Sequence, residues 1–201
     1  MSEKRRGRPP KYDSQQVLAR AGEVFWRKGL AATSLDDLAS AMGMNRPSLY
    51  NAFGDKEALY RRVMAELDKQ IAEELYEVLN AEPDLNKALK AFYRRALAVY
   101  QSSGENLGCF AICTATVAAP QCPAIKQDLL ELIQRVDQTI TRRLQRASAE
   151  GELQLLVSEK ELAKVFQALL HSLAVRTRAG ESPSALKRIY CTAVDALVPT
   201  Q

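Results

Sequence analysis

Histidine is almost missing from this chain: there is one in 201 residues, His171, set among apolar neighbours where packing suits it better than catalysis. Acid–base catalysis and metal binding lean on histidine more than on any other side chain, so a reaction centre of that kind is not expected. Nine glycines and eight prolines are few, and no glycine-rich phosphate loop or nucleophile elbow is among them. No group of ligating side chains has a metal-binding spacing, and no cofactor is expected. The longest apolar-leaning run, "CFAICTATVAA", is too short to cross a bilayer. The basic amino terminus is followed by no apolar segment of the signal-peptide kind. The four cysteines then point to free thiols in a reducing cytosol. A soluble cytoplasmic protein, not an enzyme, is the expectation. Convincing strand-like alternation and internal repeats are also missing, which leaves an all-α chain.

What is present is ordinary in amount and uneven in placement. Hydrophobic residues at 47% and charged residues at 26% suit a globular core that needs no disulfide or metal. Residues 1–62 hold twelve Lys/Arg against seven Asp/Glu, and the remaining chain carries −1 of the net +4. A polyanion would meet the first third of the chain; a solvated basic tail is the plainer reading of the same charge.

Residues 1–12, "MSEKRRGRPPKY", read as a flexible basic arm. Asp13 or Ser14 caps a first helix with Val17, Leu18, Ala21, Val24 and Phe25 at helical spacing, ended by Gly29. Ser34 and Asp37 form a capping box for a second helix, and Gly43 closes it. Asn45 caps a third, with Arg46 and Pro47 in its first turn and Gly54 after it. Asp55 caps a long fourth helix, broken near Pro83. Further helices are expected over about 85–102, a short stretch within "CFAICTATVA", then 124–149, 159–178 and 183–198.

The third helix, in "MNRPSLYNAF", turns Met44, Leu49 and Phe53 to a core and leaves Asn45, Arg46, Ser48 and Asn51 outside. Second and third helices joined by a turn of about three residues match the helix-turn-helix pattern. Side chains of these types read base edges: arginine pairs with guanine or a phosphate, asparagine with adenine, and serine with either. Tyr50 can reach a phosphate or pack its ring on the first helix. Thr33 and Ser34, at the amino end of the second helix, and Lys56, opening the fourth, suit phosphates.

Residues 21–60, "AGEVFWRKGLAATSLDDLASAMGMNRPSLYNAFGDKEALY", resemble the tetracycline-repressor (TetR) family of bacterial transcription regulators. The shared elements are "F…GL..TS", "LA…G", "LY..F" and "KE.LY" at the family's spacing. The resemblance implies phosphate contacts at Thr33, Tyr50 and Lys56. It places Arg46, Pro47, Ser48 and Asn51 on the recognition helix, with Asn45 at its start. Asn45-Arg46-Pro47 departs from the small residues common there, which bears on the operator. The implied organisation is a basic arm (1–12), a helix-turn-helix domain (13–55) and an effector-binding and dimerisation domain (56–201).

In the arm, Arg6 and Arg8 flank a glycine as in A·T-hook segments, which insert arginine into a narrow minor groove; a merely basic tail is the other reading. The last two helices carry wide apolar faces, Leu162, Val165, Phe166, Leu169, Leu170 and Leu173, then Leu186, Ile189, Tyr190, Ala193, Val194 and Leu197. By the resemblance they form a dimer's four-helix bundle, and paired recognition helices read a pseudo-palindrome. Helices over 85–150 would wall an effector pocket, with Phe92, Tyr93, Tyr100, Phe110, Ile112, Thr114, Val117 and Leu132 as lining. Cys109, Cys113 and Cys122 invite a thiol sensor, a soft-metal site or inert packing.

The expected function is a homodimeric repressor released from DNA by an unidentified small molecule. A redox or electrophile sensor using Cys109, Cys113 and Cys122 is the alternative, and behind it stand a constitutive DNA-binding protein and an enzyme.

Overall fold

In a computed structural model, the structure describes residues 14–102, 104–153 and 157–198. Arg6, Arg8 and Asp13 lie outside the described residues. Among the described residues every regular element is helical: α1 (Ser14–Ala32), α2 (Leu35–Met42), α3 (Arg46–Phe53), α4 (Lys56–Ala81), α5 (Leu85–Tyr100), a π-helical turn (Ala111–Ala115), α6 (Thr116–Ala118), α7 (Pro123–Ala149), α8 (Glu159–Arg178) and α9 (Pro183–Leu197).

Local chemistry sets the starts and stops of the first four. Gly29 leaves helical geometry at φ 73° and ψ 173°, kinking α1 where the sequence placed its end, and a last turn resumes to Ala32. Ser34 and Asp37 make the full capping box on α2, and Gly43 takes the left-handed conformation after it. The Asn45 and Asp55 side chains accept from the backbone of Ser48 and Ala58 at the starts of α3 and α4. Each such cap is worth about 1 kcal/mol.

α1, α2 and α3 enclose a small core of Leu18, Phe25, Leu38, Met42, Leu49 and Phe53, all buried. This head rests on the body through rings: Phe25 meets Tyr60 edge-on at 5.2 Å, and Phe110 contacts Tyr60 at 5.3 Å and Trp26 at 5.9 Å. In the body α7 packs on α8, α4 on α5, and α5 on both α8 and α9.

The expected helix over "CFAICTATVA" is a π-helical turn followed by a short α-helix, a departure from the sequence reading. Its hydroxyls turn back on the backbone, Thr114 to the Phe110 carbonyl and Thr116 to that of Ile112, each at 2.7 Å. Gly108 precedes it at φ 72°, so close to α8 that a Cβ would sit 2.4 Å from the Ala174 carbonyl oxygen. Only glycine lets this loop approach so near.

Candidate nucleic-acid interface and cavity

α3 is held by two anchors, Leu49 and Phe53, both buried, with the Arg62 guanidinium 5.2 Å over the Phe53 ring. The opposite face, Asn45, Arg46, Pro47, Ser48, Tyr50 and Asn51, is exposed. Tyr50 is 48% exposed, so its ring is not packed away against α1. Asn45 Oδ1 is engaged in the cap, which leaves its amide nitrogen as the group free to face outward.

Arg46 is not a loose cation. Its Nε donates to Asp36 Oδ1 at 2.7 Å and its Nη2 to Asp36 Oδ2, joining α3 to the first turn of α2. The guanidinium holds the Asp36 carboxyl below the usual carboxylate range. Its neighbour Asp37 pairs with Lys28 at 2.6 Å and closes the capping box, and Lys28 and Ser34 together hold its pKa at about 2. Sequence spacing offered no hint of Asp36: ten residues separate it from Arg46, and only the packing of α2 on α3 brings them together.

The amino end of α2 corrects one expectation. Thr33 is buried and its hydroxyl donates to the Gly29 carbonyl at 2.6 Å, so this side chain does not face a phosphate. Ser34 is exposed, with its hydroxyl already bonded to Asp37. Lys56 is half-buried and donates to the Thr33 carbonyl at 2.8 Å, with two further ammonium protons to spare.

Behind the head lies a mainly apolar cavity of about 70 Å³ between α4, the π-helical turn, α7 and α8. Of the eight expected lining residues, Tyr100, Phe110, Ile112 and Leu132 are on its wall, joined by Met64, Ile71, Cys109 and His171. Thr114 and Val117 instead line a separate cleft of about 640 Å³ between the end of α1, the start of α4 and α6. Phe92 and Tyr93 are corrected: both are core, and the Tyr93 hydroxyl donates to the Phe166 carbonyl at 2.7 Å while its ring stacks on Tyr190. His171 has its pKa lowered by burial, which keeps it neutral at the cavity edge.

The thiols divide between the two spaces, Cys109 in the cavity and Cys113 and Cys122 in the cleft. Burial raises all three: Cys109 reaches about 11, Cys113 is raised although Arg178 pulls the other way, and Glu57 adds to the rise at Cys122. A thiol in such surroundings stays protonated and is a poor nucleophile. Among the described residues no three potential ligands gather as for a metal ion.

The expected dimer residues need the same sorting. Leu162, Phe166, Leu173, Leu186 and Tyr190 are buried within the single chain, with Leu170 and Val194, and fill its own core. On the same two helices Val165, Val175 and Leu197 stay exposed, and Leu169, Ile189 and Ala193 are half-buried. Apolar periodicity marks a face as buried without saying by which chain.

A helix-turn-helix head that presents one polar helix, fixed on an all-helical body with an apolar cavity, defines a DNA-binding regulator. The comparisons agree with that class. The family model described as bacterial regulatory proteins, tetR family, matches residues 17–63. That of the tetracyclin repressor-like C-terminal domain matches residues 86–193. The chain belongs to the TetR family of transcriptional regulators. It is 29% identical over 190 residues to the HTH-type transcriptional repressor ComR of Escherichia coli (strain K12), covering 94% of this chain and 90% of that one. It is 31% identical over 106 residues to the repressor BdcR of the same strain, about half of either chain (53% and 54%). Among solved structures, a cysteine mutant of the TetR-family regulator CifR complexed with 26-bp operator DNA superposes with TM-score 0.87 at 28% identity, covering 95% of this chain and 100% of that one. The reduced form of E. coli NemR shares the fold, with TM-score 0.80 at 16% identity over 92% of this chain and 97% of that one. Among the described residues no helix is long and apolar enough to cross a membrane.

Proposed function

We propose that this chain is a transcriptional repressor that grips a pseudo-palindromic operator as a homodimer and lets go when a small molecule occupies the cavity behind its head. The observation that carries the reading is α3, whose Leu49 and Phe53 are sunk in the core while Arg46, Ser48, Tyr50 and Asn51 stand on one exposed face. The CifR complex with operator DNA and the repressor names of ComR and BdcR support it. In this reading residues 13–55 read DNA, with Asn45 and Pro47 shaping the start of α3 and Arg6 and Arg8 adding groove contacts. Residues 56–201 sense and dimerise through the exposed Val165, Val175 and Leu197 with Leu169, Ile189 and Ala193.

The cavity walls suit the release. Phe110 faces the cavity and also touches Trp26 in α1 and Tyr60 in α4, so an occupant that shifts this ring shifts what supports the head. Such an effector must bind the released state more tightly than the bound one. The placement of Cys109 on the cavity wall favours thiol modification as a second route, against which stands its raised pKa.

Fluorescence anisotropy on the DNA upstream of the protein's own gene tests both. Tight, salt-sensitive binding by the reduced protein is expected, unchanged by mild peroxide and relieved by small molecules. Binding lost on oxidation and restored by reductant makes the thiols the sensor. Equal affinity for scrambled DNA sinks the operator reading.

A further inference from the structure

We infer that Asp36 is a positioning residue for base recognition: from α2 it locks Arg46 with one edge of its guanidinium turned outward, set to pair bidentately with a guanine. The inference rests on the DNA-binding reading above.

Arginine carries five N–H groups on a flat fork. Asp36 takes the side-on edge, Nε and one proton of Nη2. What remains is the end-on edge, Nη1 and the other Nη2 proton, and these two nitrogens match the spacing of guanine O6 and N7 in the major groove. Arg46 is the first residue of α3, and recognition helices touch bases with their amino-terminal residues. The pair therefore exists before DNA arrives, at the end of the helix where it is of use. A long side chain that is already ordered loses less freedom on binding, which favours affinity and selectivity together.

Stability is a poor explanation of the same pair. The Arg46 and Asp36 side chains are 56% and 70% exposed, and ion pairs in such settings contribute little to folding. The helix start does not depend on it either, since Ser34 and Asp37 complete the α2 capping box and Asn45 caps α3. The adjacent carboxylate cannot substitute for Asp36, because Asp37 is committed to Lys28 and Ser34. A bare carboxylate on a DNA-facing turn would repel phosphates, and its pairing with Arg46 removes that charge. Arg46 in turn is prevented from swinging to whichever phosphate is nearest.

The test uses the full chain and the duplex upstream of its own gene, with each guanine replaced singly by 7-deazaguanine, which deletes the N7 acceptor. For wild-type protein one guanine per half-site is expected to cost about tenfold or more in affinity when so replaced. In Asp36→Asn that penalty should shrink to within about twofold, while affinity for scrambled DNA holds or rises, and Asp36→Glu should retain much of it. On an Arg46→Ala background Asp36→Asn should cost no further selectivity for operator over scrambled DNA, and loss of the now bare carboxylate should hold or raise affinity for both alike. Asp36→Asn with the wild-type penalty at that guanine overturns the positioning role. So does an equal loss on operator and scrambled DNA, or a variant that binds poorly because its melting temperature has collapsed. Wild-type protein that cannot tell the upstream duplex from scrambled DNA overturns the repressor reading itself, and the positioning role with it.

Discussion

The hydroxyl of Tyr60 meets that of Thr114 at 2.6 Å, buried between α4 and the π-helical turn. Thr114 spends its own proton on the Phe110 carbonyl, so Tyr60 is the donor of the pair. Burial pushes the Tyr60 pKa up to about 12, which keeps that proton in place. One residue of the head's support is thus tied to the wall of the cleft, and its ring lies on Phe110 at the cavity.

This direction of donation orders two substitutions. Tyr60→Phe removes a donor and leaves Thr114 bonded to Phe110, so about 1 kcal/mol of stability should be lost. Thr114→Val removes the acceptor and strands a buried phenolic proton, which costs about 1–3 kcal/mol more. Urea unfolding of both variants should rank Thr114→Val as the weaker protein; the reverse ranking would show that Tyr60 is not the donor.

Arg143 of α7 is fully buried and donates to three carbonyls that end α4: Leu79 and Glu82 at 3.2 Å and Pro83 at 2.5 Å. Burial lowers its pKa, an effect opposed by the Glu152 carboxylate at 4.0 Å. Arg143→Ala strands those carbonyls and empties a large volume, and a loss of about 3 kcal/mol or more is expected in urea. Arg143→Lys should recover only a part, because one ammonium cannot span the three sites. A loss below about 1 kcal/mol for the alanine variant would mean that water replaces the guanidinium without cost.

Asp37 makes the head sensitive to acid. Its carboxyl is held at about 2 against an ordinary 3.8, by Lys28 first and then by Ser34. A lowered carboxyl pKa contributes stability that is complete above the unfolded value and fades as pH falls through the folded one. Wild type should therefore exceed Asp37→Asn in melting temperature at pH 6, and the gap should close between about pH 4 and pH 2. A gap independent of pH would assign the effect to the shape of the capping box and not to its charge.

The helices and their caps were largely readable because their causes are local. Ser34 and Asp37, Asn45 before Ser48, and Asp55 before Ala58 each act within a single turn, and each forms the bond the spacing predicts. The misplaced residues depend on partners far away in the chain or on its packing. Thr33 looks like a helix-start hydroxyl until Gly29 kinks α1 and takes its proton. Leu162 and Phe166 share a periodicity with Val165, and only the docking of α8 decides which of them faces inward. Tyr93 reads as a pocket aromatic, yet Phe166 and Tyr190, far downstream, claim both its hydroxyl and its ring. Just before the π-helical turn, the close approach of Gly108 to Ala174 is likewise a product of packing that no local pattern announces.

Lys56 has both kinds of tie, a structural bond that the sequence did not show and an expected phosphate that it did. Its Nζ holds the Thr33 carbonyl, which fixes the start of α4 against the turn between α1 and α2. Held there, the ammonium contributes a positive charge at a set place and reads no base, so it should affect all sequences alike. Lys56→Ala is expected to weaken operator and scrambled DNA by a similar factor and to lower the salt slope by about one unit. Arg46→Ala should instead weaken the operator by more than it weakens scrambled DNA. Anisotropy titrations at several salt concentrations separate the two. An unchanged slope in Lys56→Ala would leave the lysine with its structural bond alone, and the phosphate contact would have to be sought at Tyr50 or Ser34.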